Sequence, residues 1–178
     1  MTTPSASASF PSWITALAIE AAKTAEMVEK LPAVCYPHDG IIVPLLQEAG
    51  VQSFLVNVRS LIEFLGIKPA ARDRSASDLL PNWTPPVDQA TRTRLEQHWT
   101  TPSQHLMHFG KPRTKKEDGT VEVVSVEKAD LEAIANDVLD LWDEFAEQAH
   151  QAQLMVNWVI RKRGSFIIWN ADGTFQKH

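Results

Sequence analysis

Apolar residues recur at three- and four-residue steps in several segments of the chain, which is the spacing of amphipathic helices. The first such segment covers residues 13–31, and Ser12 is placed to cap its N-terminus. The second covers residues 42–65, with Pro44 suited to a first-turn position and Gly66 marking the end. The N-terminal third of the chain therefore predicts two helices joined by a proline-containing loop.

Three further helical segments follow an irregular stretch. One is predicted over residues 86–99 and is expected to end or kink at Pro102, because proline cannot donate an interior hydrogen bond. A separate helical piece then follows over 102–109. The last helix has the clearest pattern, with a broad apolar face along residues 131–149 and acidic side chains opposite. Apolar residues recur at the same helical spacing as far as Ile160. The pattern therefore leaves open whether the helix is unbroken past residue 150.

The C-terminal residues change from helical spacing to strand-like runs. Residues 165–169 and 174–175 flank an Asn-Ala-Asp-Gly turn and predict a β-hairpin. We therefore predict a mainly α fold, a bundle of four or five helices with a small C-terminal β-hairpin. The expected division is a disordered N-terminal tail (1–11), a helical bundle domain (12–163) and a C-terminal hairpin with its tail (164–178).

Composition narrows the class of protein. A length of 178 residues fits one domain, and the single cysteine excludes an internal disulfide and favours a reducing cytoplasm. No run of 18 apolar residues is present, so we expect no membrane span. The net charge of −5 disfavours nucleic acid as a global partner, but four cations fall within six residues and keep RNA as a local alternative. These candidate binding residues are Lys111, Arg113, Lys115 and Lys116.

Three histidines form the richest polar cluster. His98 and His105 are two helical turns apart and would share a face, and His108 follows one turn later. Neutral imidazoles are common ligands of transition metals, so a His-based metal-binding bundle is one hypothesis. Against it, Pro102 disturbs the helical phase, and no carboxylate lies between Glu96 and Glu117 to support a ligand. We therefore assign no metal and no other cofactor.

A family resemblance adds a second hypothesis. Residues 54–113 resemble an uncharacterised group of bacterial helical proteins. The matching residues are Phe54-x-x-Asn57-x-Arg59-x-Leu61-x-Glu63-Phe64-Leu65 and His105-Leu106-Met107-His108. The second half of the chain is also similar to HEPN domains. Those domains are bundles of four or five helices that often act, as dimers, as metal-independent ribonucleases.

The HEPN motif is an arginine followed after four to six residues by a histidine. The histidine moves a proton during cleavage by the ribose 2′-hydroxyl, and the arginine stabilises phosphate charge. Arg92 lies six positions before His98 and fits this spacing. His108 has no arginine at that spacing, so Arg59 or Arg113 would have to reach it in space. The resemblance implies His108, His98 and Arg92 as candidate catalytic residues, with Asn57 and Arg59 added to the binding candidates.

The favoured functional hypothesis is a non-enzymatic binding or assembly protein. Apolar residues on several faces of residues 151–169 are typical of a helix that meets a partner, so we expect a homo-oligomer or a protein partner there and no membrane. A divergent HEPN-like metal-independent ribonuclease is the alternative. A His-based metal-binding bundle is the weaker alternative.

Overall fold

A computed structural model gives the structure of the chain. It describes residues 12–36, 44–105, 127–152, 159–162, 165–169 and 175–177, with side chains described within 12–36, 45–100 and 127–152. Within these ranges five helices form an all-α bundle. They are α1 (Ser12–Cys35), α2 (Pro44–Phe64), α3 (Ala76–Leu79), α4 (Gln89–His105) and α5 (Lys128–Gln151).

The core lies where α1, α2 and α5 pack against one another. Small side chains on α1 allow the helices to approach closely, and the largest fully buried side chains are Trp142, Phe54 and Phe145. Phe145 meets Phe64 edge-on, with ring centroids 5.3 Å apart, an arrangement that aromatic pairs favour. The apolar face predicted for the last helix is confirmed. Its buried members are Leu131, Ala135, Val138, Leu141, Trp142, Phe145 and Ala149.

Two prolines lie inside helices. Pro32 follows the predicted end of the first helix, and Pro102 is where the third was expected to end or kink. The structure continues α1 through Pro32 to Cys35, and it continues α4 through Pro102 to His105. Each proline removes one backbone hydrogen bond, and only three residues of helix follow it. In α1 the burial of Pro32 and Cys35 offsets a cost of about 3 kcal/mol for an interior proline. Helix spacing alone could not show this compensation.

The irregular segment between α2 and α4 is held by one tryptophan. Gly66 ends α2 with a positive φ of 85°, a conformation that favours glycine. Trp83 is buried, donates from Nε1 to the carbonyl oxygen of Leu65 over 2.9 Å, and packs edge-on against Phe145 at 5.2 Å. Trp83 thus fixes this segment to the bundle.

Helix α5 ends at Gln151, and the strand that follows remains in contact with α5 and α1. The N–H of Ala152 donates to the carbonyl oxygen of Gln148, and α5 does not continue into 159–162. Those residues instead form β1 (Val159–Lys162), which pairs antiparallel with β2 (Ser165–Trp169), and β2 pairs with β3 (Phe175–Lys177). The question left open by the sequence is thus answered: α5 ends at Gln151, and β-branched residues such as Val159 and Ile160 favour the strand that follows.

Several predictions from the sequence concern residues that the structure does not describe. They concern the N-terminal tail at 1–11, the end of the helical piece at 106–109, the basic segment at 111–116 and the hairpin turn at 170–174. In the part of the chain that is described, no helix is long and apolar enough to cross a membrane.

Candidate functional site

Four of the predicted site residues have described side chains, and all four lie on α2 or α4. These two helices run antiparallel, since Arg92 near the start of α4 bonds to Ile67, whereas Trp99 further along contacts Glu63. Leu95 is the one fully buried apolar side chain of α4 among those described. Polar contacts on two faces therefore hold much of α4 against the bundle.

The first polar cluster joins α4 to α5. The Nε2 atom of His98 lies 2.9 Å from Oδ2 of Asp137, and Arg94 donates from Nε to the same oxygen over 3.1 Å. Arg94 also donates from Nη2 to Oδ1 of Asp137 over 3.3 Å, so the guanidinium contacts both carboxylate oxygens. Arg94 and His98 are four residues apart, which places both on the α4 face that meets α5.

The charge of Asp137 is stabilised by this arrangement. Burial alone would raise the pKa of Asp137, but the hydrogen bonds of Arg94 and His98 outweigh it and leave the pKa below its ordinary value. The carboxylate is thus ionised at neutral pH and keeps the imidazole of His98 oriented. Chemically, the cluster is a histidine positioned by a carboxylate, with a guanidinium beside it.

The structure does not bring Arg92 and His98 together. Six residues of helix rotate the chain by about 600°, so the two side chains leave α4 about 120° apart. Arg92 donates from Nη1 to the carbonyl oxygen of Ile67 over 3.4 Å, whereas His98 faces Asp137. The arginine beside His98 is Arg94, which the HEPN spacing did not select.

The second polar cluster joins α4 to α2 around Trp99. The indole Nε1 of Trp99 donates to Oε1 of Glu63 over 2.7 Å, and Arg59 donates from Nε to the same oxygen over 2.9 Å. The Arg59 guanidinium carbon lies 4.6 Å from the Trp99 ring centroid. The Nζ atom of Lys68 lies 5.6 Å from that centroid. Arg59 and Glu63 therefore form an ion pair that lies half-buried against α4.

The remaining candidates divide into two groups. Asn57 is half-buried and donates from Nδ2 to the carbonyl oxygen of Ser53 over 2.7 Å, within its own helix. His108 and the basic residues Lys111, Arg113, Lys115 and Lys116 lie outside the described residues, as does the side chain of His105. Among the described residues no group of three potential metal ligands lies close together.

One side of the bundle exposes apolar side chains that sequence spacing did not single out. Leu45, Leu46 and Val56 of α2 are exposed over 72%, 62% and 50% of their surface. Leu45 and Val56 are 11 residues apart, about three turns, and so share a helix face. Val34, 59% exposed, lies at the same end of the bundle, since its neighbour Cys35 abuts Gly50.

Sequence reasoning missed Arg94, Asp137 and the role of Trp99. The four-residue spacing of Arg94 and His98 predicts that they share a helix face. Their shared partner, Asp137, could not be found in this way, because it lies 39 residues further along the chain from His98. No protein-family model, curated protein or solved structure matches the chain at a significant level, so the HEPN resemblance stays a prediction.

Proposed function

We propose that the chain is a non-enzymatic assembly protein that forms a homodimer through the N-terminal half of α2. The observation that carries this proposal is the exposure of Leu45, Leu46 and Val56 beside a well-buried core. Soluble proteins expose single apolar residues freely, but a group of large ones on one helix face is typical of an interaction surface.

A second copy of the chain is the occupant that fits this surface. A two-fold axis places the same patch on both sides of an interface, and two-fold dimers are the commonest closed assembly. The face of α2 that carries Leu45 and Val56, here called the α2 strip, also carries Gln52, which lies seven residues after Leu45 and four before Val56. Gln52 donates from Nε2 to Glu48 Oε1 over 3.2 Å. Two such strips crossing each other would bury Leu45 and Val56 around a polar pair whose hydrogen bond lies within α2.

The predicted contact region 151–169 begins at the C-terminal end of α5. The first residues of α5, near Glu127 and Asp130, are within electrostatic range of Tyr36 at the end of α1. The helix of 24 residues then extends about 36 Å to Gln151. Gln151 therefore lies far from the α2 strip, and substitutions in the two regions can be tested independently.

Light scattering coupled to size-exclusion chromatography tests the proposal. We expect the mass of the wild-type chain to be twice 19.9 kDa, and Val56→Glu to halve it. Ile19→Glu is the matched control. Ile19 is also an exposed apolar residue, but it lies in the N-terminal part of α1, away from the end at Cys35 that contacts α2. A wild-type monomer would contradict the proposal. A dimer that Trp158→Ala dissociates and Val56→Glu does not would move the interface to 151–169.

The cluster of Arg94, His98 and Asp137 supports a second candidate, a metal-independent ribonuclease. A histidine oriented by a carboxylate can act as a general base, and an adjacent guanidinium can stabilise phosphate charge. The test is cleavage of labelled single-stranded RNA in EDTA. This candidate predicts activity that His98→Ala abolishes and His108→Ala leaves intact. Absence of cleavage, or cleavage that survives His98→Ala, would exclude His98 as its catalytic residue.

A further inference from the structure

The corner where α2 ends beside α4 gathers more positive than negative charge. Arg59 and Lys68 both lie over the ring of Trp99, with their charged groups 4.6 and 5.6 Å from its centroid. The carboxylate of Glu63 contacts this group and accepts from Arg59 and from the Trp99 indole. Glu63 thus faces two cations around a half-buried ring.

A third cation approaches from α4. Arg92 and Trp99 are seven residues apart, which is two turns, so they share the face of α4 that lies along the end of α2. Arg92 donates to the carbonyl oxygen of Ile67, the residue directly before Lys68. No ion pair with a carboxylate is found for Lys68 or Arg92 among the described residues, although Glu96 lies one turn along α4 from Arg92.

Lys68 is exposed and Arg92 is half-buried, so both charged groups are open to a ligand from water. An anion that reaches both would be attracted by each of them. The indole–carboxylate bond fixes Trp99, and the backbone bond to Ile67 restrains Arg92, so part of the ordering entropy is already lost before a ligand binds. Guanidinium and ammonium groups together suit a phosphate, through charge-assisted hydrogen bonds.

We propose that Lys68 and Arg92, arranged around Trp99, form a binding site for a phosphate group. This site lies at the C-terminal end of α2 and does not depend on the dimer proposed for the N-terminal half. In this proposal Arg92 binds an anion and does not act as the catalytic partner of His98. The phosphate could belong to a small molecule or to the backbone of a single-stranded RNA, which share the same recognition chemistry.

The Trp99 indole N–H is a reporter within the site. The chain has six tryptophans, so an NMR spectrum of ¹⁵N-labelled protein contains six indole signals, and Trp99→Phe identifies the relevant one. On titration with pyrophosphate we expect the Trp99 signal to shift while the signal of the core residue Trp142 stays in place. Lys68→Gln and Arg92→Gln should each weaken binding about tenfold. Lys23→Gln is the control, because Lys23 is an exposed lysine paired with Glu20 on α1.

Four outcomes of these titrations decide the proposal. A Trp99 signal that does not respond to millimolar pyrophosphate at low salt, to a mononucleotide or to a short RNA would overturn the proposal. Equal affinity in wild type, Lys68→Gln and Arg92→Gln would also overturn it. A saturable shift that both substitutions weaken would support it. RNA binding that is tighter and more salt-dependent than pyrophosphate binding would identify the polymer as the source of the phosphate.

Discussion

Gly50 of α2 abuts the sulfur of Cys35 at the end of α1, so closely that a Cβ atom on Gly50 would lie 2.6 Å from Sγ. Cys35 is fully buried, and burial raises the pKa of its thiol, which is therefore neutral at pH 7. The cysteine thus acts as a small apolar side chain that fills the space a glycine leaves. This contact sets how closely α1 and α2 approach each other.

Gly50→Ala should destabilise the wild-type protein by about 1–3 kcal/mol, because the added methyl group overlaps the sulfur. In a Cys35→Ala background the overlap disappears, since the nearest remaining atom is Cβ of residue 35 at 3.9 Å. There Gly50→Ala should stabilise the protein by up to about 1 kcal/mol through helix propensity. Urea denaturation of the four proteins measures both effects, and the same sign in both backgrounds would contradict the proposed contact.

Asp137→Asn should lower the free energy of unfolding by about 0.5–1 kcal/mol at pH 7, a modest value because water screens the half-buried carboxylate. The pKa of Asp137 is lowered in the folded state, so its contribution is present above the ordinary carboxyl pKa of about 3.9. It is lost as the pH falls through the lower folded-state pKa.

Chemical denaturation of wild type and Asp137→Asn at several pH values between 7 and about 3 measures that loss. The difference between the two proteins should shrink at the acidic end. Asp140→Asn is the control, since Asp140 is exposed on the same helix. A difference for Asp137→Asn that stays constant down to pH 3 would show that the Arg94 and His98 contacts do not depend on its charge.

A double-mutant cycle should reveal coupling between Glu63 and Trp99. Trp99→Phe removes the indole donor, and Glu63→Ala removes its acceptor, so each single change also disturbs Arg59 or the ring. The coupling free energy should be about 1–2 kcal/mol, the range of a hydrogen bond to a charged group. Thermal or urea unfolding gives the four stabilities, and additive effects would mean that the bond does not help to hold α4.

Trp83→Phe should cost about 1–3 kcal/mol, because it leaves the buried carbonyl oxygen of Leu65 without its indole donor. The phenylalanine ring still packs against Phe145. The loss in the free energy of unfolding therefore reports the missing hydrogen bond more than the ring contact. Trp13→Phe is the comparison, since Trp13 is 43% exposed and contacts Arg74 through its ring. Equal losses at both positions in a calorimetric scan would contradict the assigned role of Trp83.

The buried face of α5 around Val138 could be predicted because burial follows helical spacing, and apolar side chains at that spacing mark the core. The end predicted for α1 at residue 31 was wrong, since the structure continues the helix through the buried Pro32 to Cys35. The structure also continues α4 through Pro102, where an end or a kink was expected.

The polar contacts of the candidate site were harder to predict. Arg94, His98 and Asp137 meet across two helices, and which carboxylate of the acidic face of α5 turns inward depends on how α4 is rotated. Asp137 was expected to lie on a solvated face, yet it is half-buried against α4. Asp137 lies about 100° from Val138, at the border of the apolar face, whereas Asp140 lies about 160° away. Spacing therefore places Asp137 at the border but does not identify its partners on α4.

The central claim, a dimer formed through the α2 strip, is tested most directly by site-specific cross-linking. The native Cys35 is buried, so a cysteine introduced as Leu45→Cys is the accessible thiol among the described residues. A short bis-maleimide should convert Leu45→Cys to a covalent dimer on a denaturing gel and leave the control Ile19→Cys monomeric. A monomer in both proteins, or cross-linking at Ile19→Cys alone, would contradict the account.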